Sequence, residues 1–327
     1  MYLLFGYFRS NYFAAYVRML CKDEQISQGR SYSNEKIEVS DCFFCRSLVY
    51  SQNGGVIYVN GGSLSMIVIS SMFHNCKTNP GSGGAIFFSS LNIKLCDICA
   101  HQCSSTNYHF GYFASINNNE LESISINYCS QTKTGAYCIT VQSGNQRSMR
   151  NNCSGNSALN YCGIAYKSPV DLYSSFCTLY NNYAENQICL LLSPCHGSIL
   201  FTNIIKNTCP SGNGVVFSSD GLVKMDYCIF DLNQNLLFTV SSGSLVLSHC
   251  FISHSGIVSK NTALDLTNNN SMTKHPTYVH KHFNSYYCIA FIPNEEPTIQ
   301  KIHSYTFVVI TRVPLILEIM IALLLLE

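Results

Sequence analysis

Cysteine is the residue with most to explain, because the chain of 327 residues holds 18 of them. Two pairs have C-x-x-C spacing, Cys42/Cys45 and Cys96/Cys99, and Cys103 follows the second pair. A structural zinc site would place two such pairs about 15–20 residues apart, and these are more than 50 apart. A thiol–disulfide catalyst needs a strand before the motif and a helix after it. Here "CFFC" runs into "RSLVYSQNGGVIYV", which is a further strand pattern. The cysteines are therefore read as small apolar core residues, with pairing of some left open.

Carboxylates are the next groups that could do chemistry. Cleavage of an acidic glycan needs clustered Asp and Glu, with calcium or a basic residue beside them. The main acids of the body are Asp97, Asp171, Asp220, Asp226 and Asp231. Asp220, Asp226 and Asp231 share about one repeat unit, and none aligns with an acid in the next unit. Glu120 and Glu122 flank a strand start and read as solvated. His275, His280 and His282 form H-x4-H-x-H without an adjoining Cys or carboxylate, so they read as loop histidines rather than metal ligands. The glycine pairs are followed by no helix and no GK[ST], which excludes a phosphate cradle. No catalytic, cofactor-binding or metal residue is assigned, no cofactor is expected, and the chain is read as no enzyme.

Composition narrows the classes further. With 19 Lys+Arg against 18 Asp+Glu, and only 11% charged residues, there is no electrostatic footprint for nucleic acid. The 47% hydrophobic content, with 21 Tyr and 19 Phe, excludes wholesale disorder.

The elements that carry these residues come from an internal repeat. "SLSMIVISSMFHNC" (63–76) aligns without gaps with "SLNIKLCDICAHQC" (90–103), an offset of 27. Each is preceded by a matching block, "GGVIYVNGG" at 54–62 and "GGAIFFSS" at 83–90. Similar pairs of blocks recur as far as "SLVLSHC" at 244–250. The residues ending the second block serve as a ruler: Cys42, Ser70, Cys96, Cys129, Cys153, Cys177, Asn203, Cys228 and Cys250. From 42 to 250 is 208 residues over eight steps, a mean of 26, and only Cys, Ser or Asn falls on the ruler.

Blocks of four to seven residues, rich in Val, Ile, Leu, Phe and Tyr, are strand signals, and the Gly, Ser and Asn between them are turn signals. A unit of two or three short strands cannot bury its apolar face alone, so units stack. The fold expected is all-β: a right-handed parallel β-helix of about nine coils, roughly 43 Å long at about 4.8 Å per coil. Stacking turns the ruler into a ladder, with Cys as a compact core residue and Asn or Ser hydrogen-bonding along the stack. Gly54, Gly55, Gly83 and Gly84 would permit positive φ at coil corners.

The "GGVI" of 54–57 and "GGAI" of 83–86, each followed by a polar turn and then F-x-x-C or F-x-x-N, carry a resemblance. They resemble the GGA[ILV] and FxxN repeats of polymorphic membrane proteins, β-helical bacterial surface adhesins, and similar Cys-rich surface families of parasitic protists. The resemblance covers about 40–255. Phe230–Asn233 keeps FxxN, Phe73–Cys76 has Cys where that family has Asn, and later coils keep one glycine or none. It implies the β-helix and an adhesive surface role, and it brings no catalytic residues.

The ends read differently. Residues 1–35 form an N-terminal cap or a weak signal-like segment, since Tyr2–Phe8 is short for a signal core and no positive charge precedes it. Residues 36–255 are the repeats, 256–304 a cap or linker, and 305–327 a hydrophobic segment. Phe307–Leu326 has the length of a membrane span, interrupted by Arg312 and Glu318, and is read as an anchor with a buried cap as the alternative. Two sequons occur, at Asn152 and Asn269.

These readings expect a non-enzymatic cell-surface or membrane protein with an adhesive or display role. Its partner would be an unidentified surface protein or glycan. The alternatives are a pectin-lyase-like β-helix acting on a glycan, a degenerate family member without function, and a secreted or intracellular soluble location.

Overall fold

The computed structural model describes residues 36–253, apart from 41, 51, 62, 131–134, 187 and 211–212, together with 264–265. The N-terminal segment 1–35, the three spaced histidines, Asn269 and Phe307–Leu326 lie outside the described residues. The described residues contain strands and turns but no helix, and so none long and apolar enough to cross a membrane.

The chain winds as a parallel β-solenoid of about eight turns. Each turn passes through three sheet faces. The first face stacks Lys36–Ser40, 65–69, 92–96, 118–122, Asn145–Met149, Asp171–Ser175, Gly197–Leu200, Leu222–Asp226 and Ser244–Ser248, all parallel. The second stacks Phe43–Cys45, 71–74, 98–101, 124–127, Asn152–Ser154, Thr178–Tyr180, Asn203–Ile205, Ile229–Asp231 and Phe251–Ser253. The third stacks Ile57–Asn60, 86–90, 111–114, Tyr137–Gln142, Tyr161–Lys167, Ile188–Ser193, Val216–Ser218 and Phe238–Val240. The repeat offset of 27 is the register found: Ser65 pairs with Asn92 and His74 with His101.

Strands of four to seven residues were expected, whereas Ser65–His74, Ile86–His101 and Tyr108–Asn127 have 10, 16 and 20 residues. These three strands run unbroken around corners that divide the strands of the later coils. Between the first and second faces each coil bends at one residue of positive φ: Ser70, Asp97, Ser123, Arg150, Phe176, Phe201, Tyr227 and His249, all between 46° and 56°. None is Gly or Asn, although this conformation costs a side-chain-bearing residue about 1 kcal/mol or more. The stack holds it in place. Arg150, Phe176, Phe201 and Tyr227 donate their N–H groups to carbonyls of the next coil at 2.9–3.1 Å, so pairing continues around the bend.

Alternation along each face sends Val, Ile, Leu, Met and Phe inward. Phe73, Phe88, Phe110, Phe113, Phe230 and Phe238 are fully buried, each contributing about 1.5–3 kcal/mol by its removal from water. Their rings meet edge to face, as in Phe73–Phe110 at 6.0 Å and Phe230–Phe238 at 4.9 Å.

The glycine pairs divide their work. Gly54 and Gly83 take φ of 69° and 71°, as expected of corners. Gly55 and Gly84 do not have positive φ. They are needed because coils approach closely: a Cβ on Gly55 would stand 2.0 Å from the Gly84 carbonyl oxygen, and one on Gly84 would stand 2.2 Å from that of His109.

Candidate functional site

Two inward ladders follow the two corners, and the ruler residues are shared between them. The first ladder, set by the register of the second face, contains Cys42, Ser71, Ile98, Ile124, Asn151, Cys177, Thr202, Cys228 and Cys250. Its small donors share one habit, bonding the carbonyl two residues back. Ser71 donates to Ile69 at 2.8 Å, Thr202 to Leu200 at 3.1 Å, Cys228 to Asp226 at 3.5 Å and Cys250 to Ser248 at 3.1 Å. Cys177 bonds Ser175 in the same way at 3.5 Å, and burial pushes its thiol pKa up.

The second ladder follows a corner of Arg46, Asn75, Gln102, Tyr128, Gly155, Asn181, Lys206 and Leu232, with φ of 52–63°. It contains Cys76, Cys103, Cys129, Asn156, Asn182, Asn207 and Asn233. Each Asn donates its Nδ2 to a carbonyl of the preceding coil: Asn156 to Ile126 at 2.9 Å, Asn182 to Cys153 at 2.8 Å, Asn207 to Leu179 at 2.8 Å and Asn233 to Ile204 at 2.6 Å. Its Oδ1 accepts the N–H of the ladder residue before it, at 2.8–3.0 Å from Cys129 to Asn207. Cys103 imitates half of this with a thiol bond to Phe73 at 3.4 Å. The F-x-x-N and F-x-x-C blocks are thus one structural position with two chemistries.

This corrects the single ruler. Cys42, Cys177, Cys228 and Cys250 share the first ladder. Cys129 belongs to the second, because both corners are followed by a small inward residue and sequence spacing does not separate them. Ser70 is itself a corner residue. Cys96 faces outward, paired in register with Ile69 and Glu122. Cys153 lies inside Asn152–Ser154, paired with Ile126 and Leu179, and Asn203 sits one residue past the ladder. Of the C-x-x-C cysteines, Cys99 is disulfide-bonded. No group of three His, Cys, Asp or Glu among the described residues has metal-binding geometry.

The outward side of the first face carries stacked polar side chains. Its edge carries an amide ladder in which Asn92 donates to Ser65 Oγ at 3.0 Å, Asn118 to Asn92 Oδ1 at 3.1 Å and Asn145 to Asn118 Oδ1 at 3.2 Å, with Asp171 next in register. The neighbouring column runs Ile67, Lys94, Glu120, Arg147, Tyr173, Ser198 and Lys224. Lys94 pairs with Glu120 at 3.3 Å, Arg147 lies 5.9 Å from the Tyr173 ring centre, and Arg150 pairs with Glu122. Glu120 and Glu122 therefore sit in mid-strand as half-buried ion-pair partners rather than as solvated residues at a strand start. Asp226 is in register with Leu200 and Ser248, Asp231 with Ile205 and Ser253, so no acid of that coil faces another acid.

Sequence reading missed two outer aromatic ladders. On the third face Tyr58, Phe87, Tyr112, Tyr108, Tyr137 and Tyr161 lie in succession with ring centres 4.5–5.3 Å apart. Lys167 lies beside this ladder, its Nζ donating to the Tyr137 hydroxyl at 2.9 Å. Burial pushes the hydroxyl pKa of Tyr108 and of Tyr161 up to about 12. At the first corner Phe176, Phe201, Tyr227 and His249 stack at 5.0, 5.2 and 4.7 Å. His249 also meets Asp226 at 2.9 Å. The signal for both ladders was a run of aromatics one repeat apart.

What the arrangement offers is an interior closed by ladders and outer faces lined with stacked amides, ion pairs and rings. No protein-family model, no curated protein and no solved structure matches this chain.

Proposed function

We propose that this chain is a non-enzymatic surface protein that uses the outer side of its solenoid for adhesion or display. The observation that carries the reading is the first face, where the amides of Asn92, Asn118 and Asn145 stack in three successive coils beside the charged Lys94, Glu120 and Arg147. Such a surface suits an extended partner with repeating hydrogen-bonding groups, and a glycan or a surface protein is the class expected. Glu120 and Glu122 are engaged by Lys94 and Arg150, which supports a contact surface over acid–base chemistry. The coil sense we assign is right-handed, following the rule that holds for about 98% of parallel crossovers. Kinship with polymorphic membrane proteins is part of the same proposal. Its support is the placement of Gly54–Ile57 and Gly83–Ile86 at equivalent points of successive coils, with F-x-x-N and F-x-x-C on one ladder.

The test is cell-surface display of the full chain tagged at both ends. Surface labelling and carbonate extraction report exposure and membrane attachment, and an immobilised glycan panel with intact cells reports adhesion. Exposure with adhesion that falls at least threefold in a Lys94→Ala, Arg147→Ala, Tyr173→Ala variant of unchanged circular dichroism is the expected result. Retention inside the cell without adhesion overturns the proposal, and so does release of cleaved sugar from the panel.

A further inference from the structure

The two ladders place several thiols one coil apart, and one pair differs from the rest. Cys228 and Cys250 occupy the same ladder position in adjacent coils, fixed by the register of Ile229 with Phe251. Adjacent parallel strands stand about 4.8 Å apart, inside the 4.4–6.8 Å Cα range that a disulfide spans. The Cys228 N–H already points at the Cys250 sulfur, at 3.4 Å. Among the described residues each has the other as its thiol neighbour in the ladder, and Thr202 separates Cys228 from Cys177. Cys103, by contrast, bonds both Cys76 and Cys129, which leaves no unique partner.

We propose that Cys228 and Cys250 form an inter-coil disulfide, a covalent modification site that staples two coils of the solenoid, whenever the chain meets a disulfide oxidant. The step is thiol–disulfide exchange. The Cys250 thiolate attacks one sulfur of oxidised glutathione, releasing glutathione thiolate and forming a mixed disulfide. The Cys228 thiolate then attacks the Cys250 sulfur of that adduct, releasing the second glutathione. Two protons and two electrons leave the protein, and one glutathione disulfide is reduced to two thiols. The roles follow from the surroundings: the hydrogen bond from Cys228 lowers the Cys250 thiol pKa, while burial raises that of Cys228. Both sulfurs are buried, so exchange proceeds before the coil carrying Cys250 docks or when it lifts. The bond would replace the thiol hydrogen bonds of Cys228 to Ile199 and Asp226 and of Cys250 to Met225 and Ser248 with a cross-link.

The experiment refolds the full chain in a glutathione redox buffer and, separately, in reductant. Remaining thiols are then alkylated in denaturant, and the chain is digested for peptide mass mapping. The expected result is a linked peptide joining Cys228 to Cys250 in the oxidised sample, absent from the reduced one, with both samples giving the same strand spectrum. Cys228→Ser and Cys250→Ser should each abolish that peptide and leave the other residue alkylated. Full alkylation of both cysteines after oxidative refolding to the native spectrum overturns the proposal. Linkage of either one to assorted other cysteines overturns it too.

Discussion

The Asn ladder makes a prediction that separates buried from exposed amides of one residue type. In Asn207→Ala the N–H of Asn182 loses its acceptor, held at 3.0 Å by Asn207 Oδ1. The carbonyl of Leu179 loses a donor at 2.8 Å, and the bonds from the Asn207 side chain to those of Asn182 and Asn233 disappear. Asn207 is fully buried, so water does not replace these partners. One orphaned buried N–H costs about 1–3 kcal/mol and each of the three other lost bonds about 1 kcal/mol, which places the loss at about 4–6 kcal/mol. Asn207→Cys should cost about half as much, because a thiol at this position still reaches the carbonyl behind it, as Cys103 does at 3.4 Å. The control is Asn145→Ala in the exposed ladder, where water replaces every partner and the change stays within about 0.5 kcal/mol. Urea unfolding followed by circular dichroism, with hydrogen exchange at the Asn182 amide, measures all three. Equal effects at 207 and 145, or an unchanged Asn182 exchange rate in Asn207→Ala, would refute the reasoning.

Gly84→Ala should destabilise by about 2 kcal/mol or more through overpacking, since its Cβ meets the His109 and Ser104 carbonyl oxygens at 2.2 and 2.5 Å. Gly61→Ala, with φ of 81° and open space around it, should cost only about 1 kcal/mol of backbone strain; thermal midpoints of the two variants check the order. The stacked imidazoles of His74 and His101, 5.4 Å apart, both have pKa values lowered by burial. The unfolded chain, with histidine pKa near 6.5, therefore binds protons first, so this contribution is complete above about pH 6.5 and is lost as pH falls below it. Urea midpoints at pH 7.5 and 5.5 should differ less in His74→Gln, His101→Gln than in the parent chain; an identical pH dependence would exclude the pair as its source. The Asn152 sequon is 1% exposed, so a glycan there and the coil are incompatible. Folded chain from a eukaryotic secretory expression should carry Asn152 unmodified by peptide mass mapping, with any modified fraction confined to aggregate.

The repeat period was legible because stacking imposes it on every inward residue, and the offset of 27 between residues 63–76 and 90–103 survives as register. The ladders were only half legible. Cys177 and Cys129 look alike in sequence because each follows a left-handed corner, and corners made of Phe176, Phe201 or Tyr227 carry none of the glycine or asparagine that marks a turn locally. Their conformation is set by hydrogen bonds to the next coil, about 25 residues away. The outer surface was less legible still. Asn118 and Asn145 become neighbours at 3.2 Å only once the register is known, and the ion pairs of Glu120 and Glu122 depend on that same register.

The run of Asn156, Asn182, Asn207 and Asn233 in one column bears on how a gene of this kind changes size. Unequal recombination that begins and ends on the same column, for example between the codons of Asn182 and Asn207, inserts or removes one whole coil. Within that ladder an Asn again meets an Asn above and below. Such an exchange alters reach in increments of about 4.8 Å while the amide bonding of that ladder stays the same. Length is therefore a trait that selection can tune in this architecture without redesigning a core.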